Sequence, residues 1–170
     1  MKILIVGTID AQHDNREEVL CERLQSDLKK RNHEVYLCYL PFKRDLFSAV
    51  EQIFAYSLID THRSDALITV GYPACFVPHK NDLKVSYLFD CYPQIHEEFT
   101  FKLREHKVEE RSKIIEAITQ AEEKTLKTIK AIFTASTELN DTINKRYGVT
   151  GQVLYFDDEN ISGRIEGALL

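Results

Sequence analysis

The stretch Lys2-Ile3-Leu4-Ile5-Val6-Gly7 decides the fold class. Ile3 to Val6 is apolar without interruption and rich in β-branched side chains, and the run stops at a glycine. A strand wetted on one face would alternate polar and apolar residues. This one does not, so it is expected to be buried on both faces, as strands of parallel sheets are. The same reading applies to 66–70, which ends at Gly71-Tyr72-Pro73, and to 84–89, 132–135 and 152–156. Residues 34–40 form a further predicted strand, closed by Pro41.

The intervening segments have helical periodicity. Over 14–31, Leu20, Leu24 and Leu28 recur at four-residue spacing with Cys21 beside them. Asp14 or Asn15 caps that helix, with Glu17 or Glu18 as capping-box partner, and Asn32 takes the left-handed position at its end. Residues 45–59 put Leu46, Phe47, Val50, Ile53, Phe54 and Leu58 on one face. Residues 94–104 read as a short helix. Residues 108–130 read as the longest helix, with Ile114, Ile118 and Leu126 inward and acidic residues preceding basic ones along the dipole. Ser136 or Thr137 caps a helix that ends at Tyr147-Gly148. Residues 157–170 read as a polar tail. Strands alternating with helices predict a layered α/β domain with a mainly parallel sheet over 1–156.

A chain of 170 residues fits one domain and needs no disulfide or metal staple to bury a core. With 44% hydrophobic and 29% charged residues it is neither disordered nor collagen-like. The net charge of -5 argues against a general nucleic-acid binder, because phosphate contacts need clustered Lys and Arg. No apolar run reaches the roughly 20 residues of a membrane span, and the N-terminus does not read as a signal peptide. A reducing, cytoplasmic setting is expected, with Cys21, Cys38, Cys75 and Cys91 as free thiols. The six histidines are dispersed, and neither a metal nor a cofactor is expected.

In open α/β sheets the ligand site lies at the carboxyl ends of the strands, so the loops there carry the candidates. The loop from Thr8 to Asn15 has no GxGxxG fingerprint and no P-loop. A phospho-receiver would need an acidic pair after the first strand. Asp10 stands alone there. Thr8, Asp10, His13 and Asp14 are candidates to line the cleft, with His13 as a general acid or base and Asp14 also explained by capping. Asp90 follows a buried strand at the rim and is the leading catalytic candidate, with Tyr92 and His96 beside it as binding residues. Gly71 and Tyr72 shape a turn or touch a ligand. Ser136 can cap its helix or meet an anion. Lys43 and Arg44 before Phe47, Val50 and Phe54 fit a membrane contact or a helix packed on the sheet.

Several stretches then fall in a recognisable order. They are Lys2–Val6, Arg31-Asn32-His33-Glu34-Val35, Leu40-Pro41-Phe42, Asp65–Thr69, Tyr72–Lys80, Lys84–Asp90, Ala131-Ile132-Phe133-Thr134-Ala135-Ser136, Tyr147-Gly148-Val149 and Val153-Leu154-Tyr155-Phe156. In this order and spacing the chain resembles the N-terminal domain of glycosyltransferase family 4, over about residues 1–156. The resemblance implies a Rossmann-like three-layer domain, one half of a GT-B architecture, with 157–170 as a tail or the start of an interdomain linker. It implies the acceptor side of a hexosyltransferase-type enzyme that is inactive alone. The nucleotide-sugar donor would be a co-substrate bound mainly by a second domain or a partner subunit, and the acceptor a carbohydrate or a lipid-linked one. A homodimer and a peripheral position at the inner membrane face are compatible with it. Asn32 replaces the family's usual Gly, the first loop lacks its Gly-Gly turn, and Asp90 and Pro93 stand where His and Arg often do. A carboxylate does not replace a cation beside a phosphate leaving group. The alternative is therefore a non-catalytic binding or scaffold subunit on a degenerate version of the same fold.

Overall fold

Six parallel strands make one sheet in the order β2-β1-β3-β4-β5-β6. In this computed structural model the elements are β1 (Lys2–Asp10), α1 (Arg16–Lys30), β2 (Glu34–Phe42), α2 (Leu46–Ser57), β3 (Ala66–Val70), a 3-10 turn (Ala74–Phe76), β4 (Lys84–Leu88), α3 (Val108–Leu126), β5 (Ala131–Thr134), α4 (Thr137–Tyr147), β6 (Gln152–Val153) and α5 (Ile161–Leu169). Residues 1–10, 15–42, 46–90 and 108–170 are described, without the side chains of residues 10, 46, 47, 49 and 108–111. His13, Asp14, Lys43, Arg44, Cys91, Tyr92, Pro93, His96 and the expected helix at 94–104 therefore lie outside the described residues.

The period-2 geometry of a strand sends alternate side chains to opposite faces. Ile3 and Ile5 of β1 join Ile68, Val85, Tyr87 and Phe133 on one face, where Leu20, Leu24 and Leu28 of α1 and Ile161, Ile165 and Leu169 of α5 cover them. Val6 goes to the other face with Leu67, Leu88 and Ile132, under Tyr56 of α2, Ile118 and Leu126 of α3, and Leu139 and Ile143 of α4. Two cores share one sheet, which is why its strands are apolar on both sides. The domain is a three-layer, Rossmann-like α/β fold.

Several boundaries differ from the sequence reading. β1 does not stop at Gly7 but runs to Asp10, and β2 does not close at Pro41 but runs to Phe42. The two extensions pair with each other, from Gly7↔Tyr39 to Asp10↔Phe42. Pro41 is tolerated because β2 is an edge strand and can turn a missing N–H outward. β6 spans only Gln152–Val153. Asn32 does adopt φ 62, the left-handed conformation expected of it. Asn15 stands at the start of α1, but its side chain makes no capping bond. On α2, Val50 and Phe54, with Leu58 just after it, are exposed rather than inward. The buried side is instead Tyr56, with Ile53 partly buried, because the Tyr56 hydroxyl reaches the Leu40 carbonyl at 2.9 Å.

The largest correction concerns residues 157–170. They hold α5, whose Ile161, Ile165 and Leu169 are fully buried at i, i+4 and i+8. Polar contacts pin it to distant parts of the chain. Glu166 pairs with Arg31 and with His33 Nε2, the latter at 2.7 Å. Ser162 Oγ donates to Asp27 at 2.9 Å, and Lys130 Nζ donates to the Leu169 carbonyl at 3.2 Å. Arg23 donates to the carbonyls of Asp158 and Glu159 at 2.8 and 2.9 Å, fixing the turn that leads into α5.

Candidate functional site

The strand order reverses between β1 and β3, since β1 leads outward to β2 while β3 leads the other way. Loops diverge at such a point and leave a crevice at the carboxyl edge of the sheet. The elements that meet there are β1, the turn after β3 and the first turn of α1, whereas the cavities seen among the described residues lie at the opposite edge, around Lys2, Tyr36 and Arg63 and around His62 and His79. Thr8, 2% exposed, lies at the end of β1 beside Gly71. A Cβ on Gly71 would come within 2.6 Å of Thr8 Oγ1 and 2.9 Å of Glu17 Cγ. Gly71 also has φ +84, a conformation that L side chains rarely adopt. Glycine is thus required twice over, for backbone conformation and for the approach of the Glu17 stem.

Gly7 has a different role. A Cβ there would meet Cys21 Sγ at 2.6 Å and Tyr39 Cε1 at 2.9 Å, so β1 and β2 can approach α1 only over a bare backbone. Burial, reinforced by Glu17, pushes the Cys21 thiol far up, so it is a neutral packing group.

The rim continues to β4. Arg16, at the start of α1, places its guanidinium 5.2 Å from the Phe89 ring centre. Asp90 follows, half-buried, at the end of β4. Ser136 begins α4 and accepts the Leu139 N–H at 3.1 Å, so its oxygen serves as a helix cap. Asp10 ends β1 at the same edge, with its side chain outside the described residues.

Tyr72 goes elsewhere. It turns inward, 4% exposed, between Phe42 and Phe76 in edge-to-face contacts at 6.5 and 5.6 Å. The structure therefore brings Thr8 and Gly71 together, sets Asp90 and Ser136 at neighbouring strand ends, and buries Tyr72. His13, Tyr92 and His96 lie outside the described residues.

Two residues of this edge escaped the sequence reading, which assigned Glu17 to capping and gave Arg16 no role. The available signal was their position, since the first turn of a helix that follows the first strand faces the crevice. Chemically, the edge presents Glu17, Asp90 and the end of β1 at Asp10, with Arg16 drawn onto an aromatic ring. Carboxylates accept hydrogen bonds from hydroxyl groups and repel phosphates. Among the described residues there is no group of three or more His, Cys, Asp or Glu side chains able to hold a metal ion.

No protein-family model matches this chain, and no curated protein sequence matches it.

Proposed function

We propose that the chain is the acceptor-side domain or subunit of a glycosyltransferase. A sugar would pass from a nucleotide-sugar donor, held by a donor-binding domain or partner chain, to an acceptor held at the carboxyl edge of this sheet. The observation that carries the reading is the chemistry of the crevice at the strand-order reversal. It offers the carboxylates of Glu17 and Asp90 at the rim, with Thr8 buried behind them, and no glycine-rich cradle for phosphate. That suits a neutral, hydroxyl-rich acceptor better than a nucleotide. In this reading Asp90 orients an acceptor hydroxyl and accepts its proton as the hydroxyl attacks. The resemblance of the motif order to that of glycosyltransferase family 4 supports the same assignment.

The exposed stripe of Val50 and Phe54 on α2 and Leu58 just after it favours an acceptor presented at a lipid surface, with the domain peripheral to the membrane. Among the described residues no helix is long and apolar enough to cross a membrane.

The test is binding followed by turnover. Titration calorimetry with oligosaccharides should give saturable binding that Asp90→Ala weakens, while nucleotide sugars bind poorly to this chain alone. Transfer should appear when a donor-binding partner is supplied. Asp90→Ala should then lower transfer at least ~100-fold with little change in melting temperature. Acceptor binding without turnover in any complex would favour the non-catalytic binding subunit. Absence of carbohydrate binding would remove the proposal.

A further inference from the structure

Glu122 of α3 is 2% exposed and, among the described residues, forms no ion pair. One of its carboxyl oxygens accepts the Tyr147 hydroxyl of α4. The other, Oε1, is buried without a hydrogen-bond partner. Among the described residues, the groups facing it come from α4, the turn after β3 and the 3-10 turn. Tyr72 faces it from the turn after β3 without a hydrogen bond to Oε1, Tyr147 and Arg146 face it from α4, and Cys75 from the 3-10 turn. Arg146 is committed elsewhere, to Thr119 Oγ1 at 3.2 Å and over the Tyr147 ring at 5.8 Å. Lys84, itself 5% exposed, donates to the Cys75 carbonyl at 2.6 Å. Burial pushes the Cys75 thiol up to about 12, so it adds no charge near neutrality.

A buried carboxylate with an unsatisfied oxygen and no ion-pair partner is expensive, whereas a neutral carboxylic acid in the same place costs far less. Glu122 joins three elements, α3, α4 and the Tyr72 turn, and that turn begins at Gly71 on the crevice wall.

We propose that Glu122, Tyr147 and Tyr72 form a proton-operated latch, in which protonated Glu122 holds α3 and α4 against the Tyr72 turn and loss of its proton to solvent loosens that turn and the Gly71 wall. Burial raises the Glu122 carboxyl to about 7, against the opposing pull of the Tyr147 and Tyr72 hydroxyls and Arg146. The latch would thus work across neutral pH. It holds whichever ligand the crevice binds, and so stands apart from the glycosyltransferase reading.

The sign follows from linkage. The folded chain keeps a proton that the unfolded chain releases above about pH 4.3, so stability falls as pH rises from there toward 7. Glu122→Gln mimics the protonated state and removes this slope. Relative to wild type, its folding equilibrium constant should gain roughly a hundredfold between pH 4.5 and 7.5.

The test uses the full chain with 13C-labelled Glu, followed by carboxyl NMR and amide exchange. Glu122 should titrate near neutrality. Exchange at Gly71, Phe76 and Val77, corrected for intrinsic rate, should rise at least ~10-fold from pH 6 to 8 in wild type and stay flat in Glu122→Gln. Tyr147→Phe removes a donor to the charged form and should move the midpoint to higher pH, which keeps the test decisive if the Gln variant folds poorly. An ordinary titration near 4.3 would overturn the latch. So would a rise in exchange that persists in Glu122→Gln, or a midpoint unmoved by Tyr147→Phe.

Discussion

Gly71 concentrates the demands of the crevice in one residue. Its positive φ costs a side-chain-bearing residue roughly 1–2 kcal/mol, and overpacking of a filled site costs roughly 1–3 kcal/mol more. Gly71→Ala is therefore expected to lose about 2–4 kcal/mol in urea denaturation, and to displace Thr8 or Glu17 from the wall they form. A loss below about 1 kcal/mol would mean that Glu17 swings away freely and does not belong to the wall. The sequence made Gly71 visible as a turn residue, since glycine followed by Tyr72-Pro73 punctuates the end of a strand. It could not reveal that Tyr72 turns inward. A tyrosine at a strand end fits a ligand contact and a core aromatic equally well, and only the positions of Phe42 and Phe76, distant in sequence, choose between them. Glu122 was only partly legible, for a related reason. Its place at four-residue spacing between Ile118 and Leu126, on the inward face, was visible, but the partners that α4 and the Tyr72 turn set against it are distant in sequence.

At the scale of elements, α2 shows how two apolar stripes compete for one sheet. Periodicity gives Val50, Phe54 and Leu58 the same claim on the core as Ile53 and Tyr56. The decision falls to a hydrogen bond: the Tyr56 hydroxyl satisfies the Leu40 carbonyl, and the competing stripe faces outward. Phe54→Ala is expected to change stability by less than about 0.5 kcal/mol, whereas Tyr56→Ala should cost about 3–5 kcal/mol. Equal losses in urea melts would mean that the outer stripe is covered in solution. The strands were legible because both sheet faces are covered, which makes each run apolar throughout. Helix α5 was not, because Gly163 and Gly167 lower its propensity and polar residues separate Ile161 from Ile165. Its i, i+4, i+8 spacing was the signal available. Glu166 supplies its pH dependence: partial burial pushes its carboxyl up, but His33 and Arg31 outweigh that and hold it below the usual range. A carboxyl lowered on folding adds stability above its unfolded value, and that stability is lost as pH falls through the folded one. Glu166→Gln should therefore destabilise the chain by about 1 kcal/mol at pH 7, with the gap to wild type narrowing as pH falls below the ordinary carboxyl range. A gap that stays constant across that range would leave Glu166 without an electrostatic role.

For the whole molecule, the shared sheet ties the two cores together. Ile3 and Ile5 pack on one side of β1 and Val6 on the other, so neither core can dissolve without disturbing the strand that serves both. Far-UV circular dichroism and tyrosine fluorescence should report one coincident unfolding transition, and separated transitions would show that the two faces melt independently. The contacts of α5 add a consequence in time. Arg31–Glu166 and Ser162–Asp27 each join residues 135 apart in sequence. A ribosome delivers the first helix many seconds before the last, at about 5–20 residues per second. Through that interval the face of the sheet that α5 covers has no lid, and the nascent chain displays an apolar surface that residues 161–169 later conceal. The expected signature is a chain arrested before residue 157 that is cut rapidly by protease and held by chaperones, while one extended past Leu169 resists both.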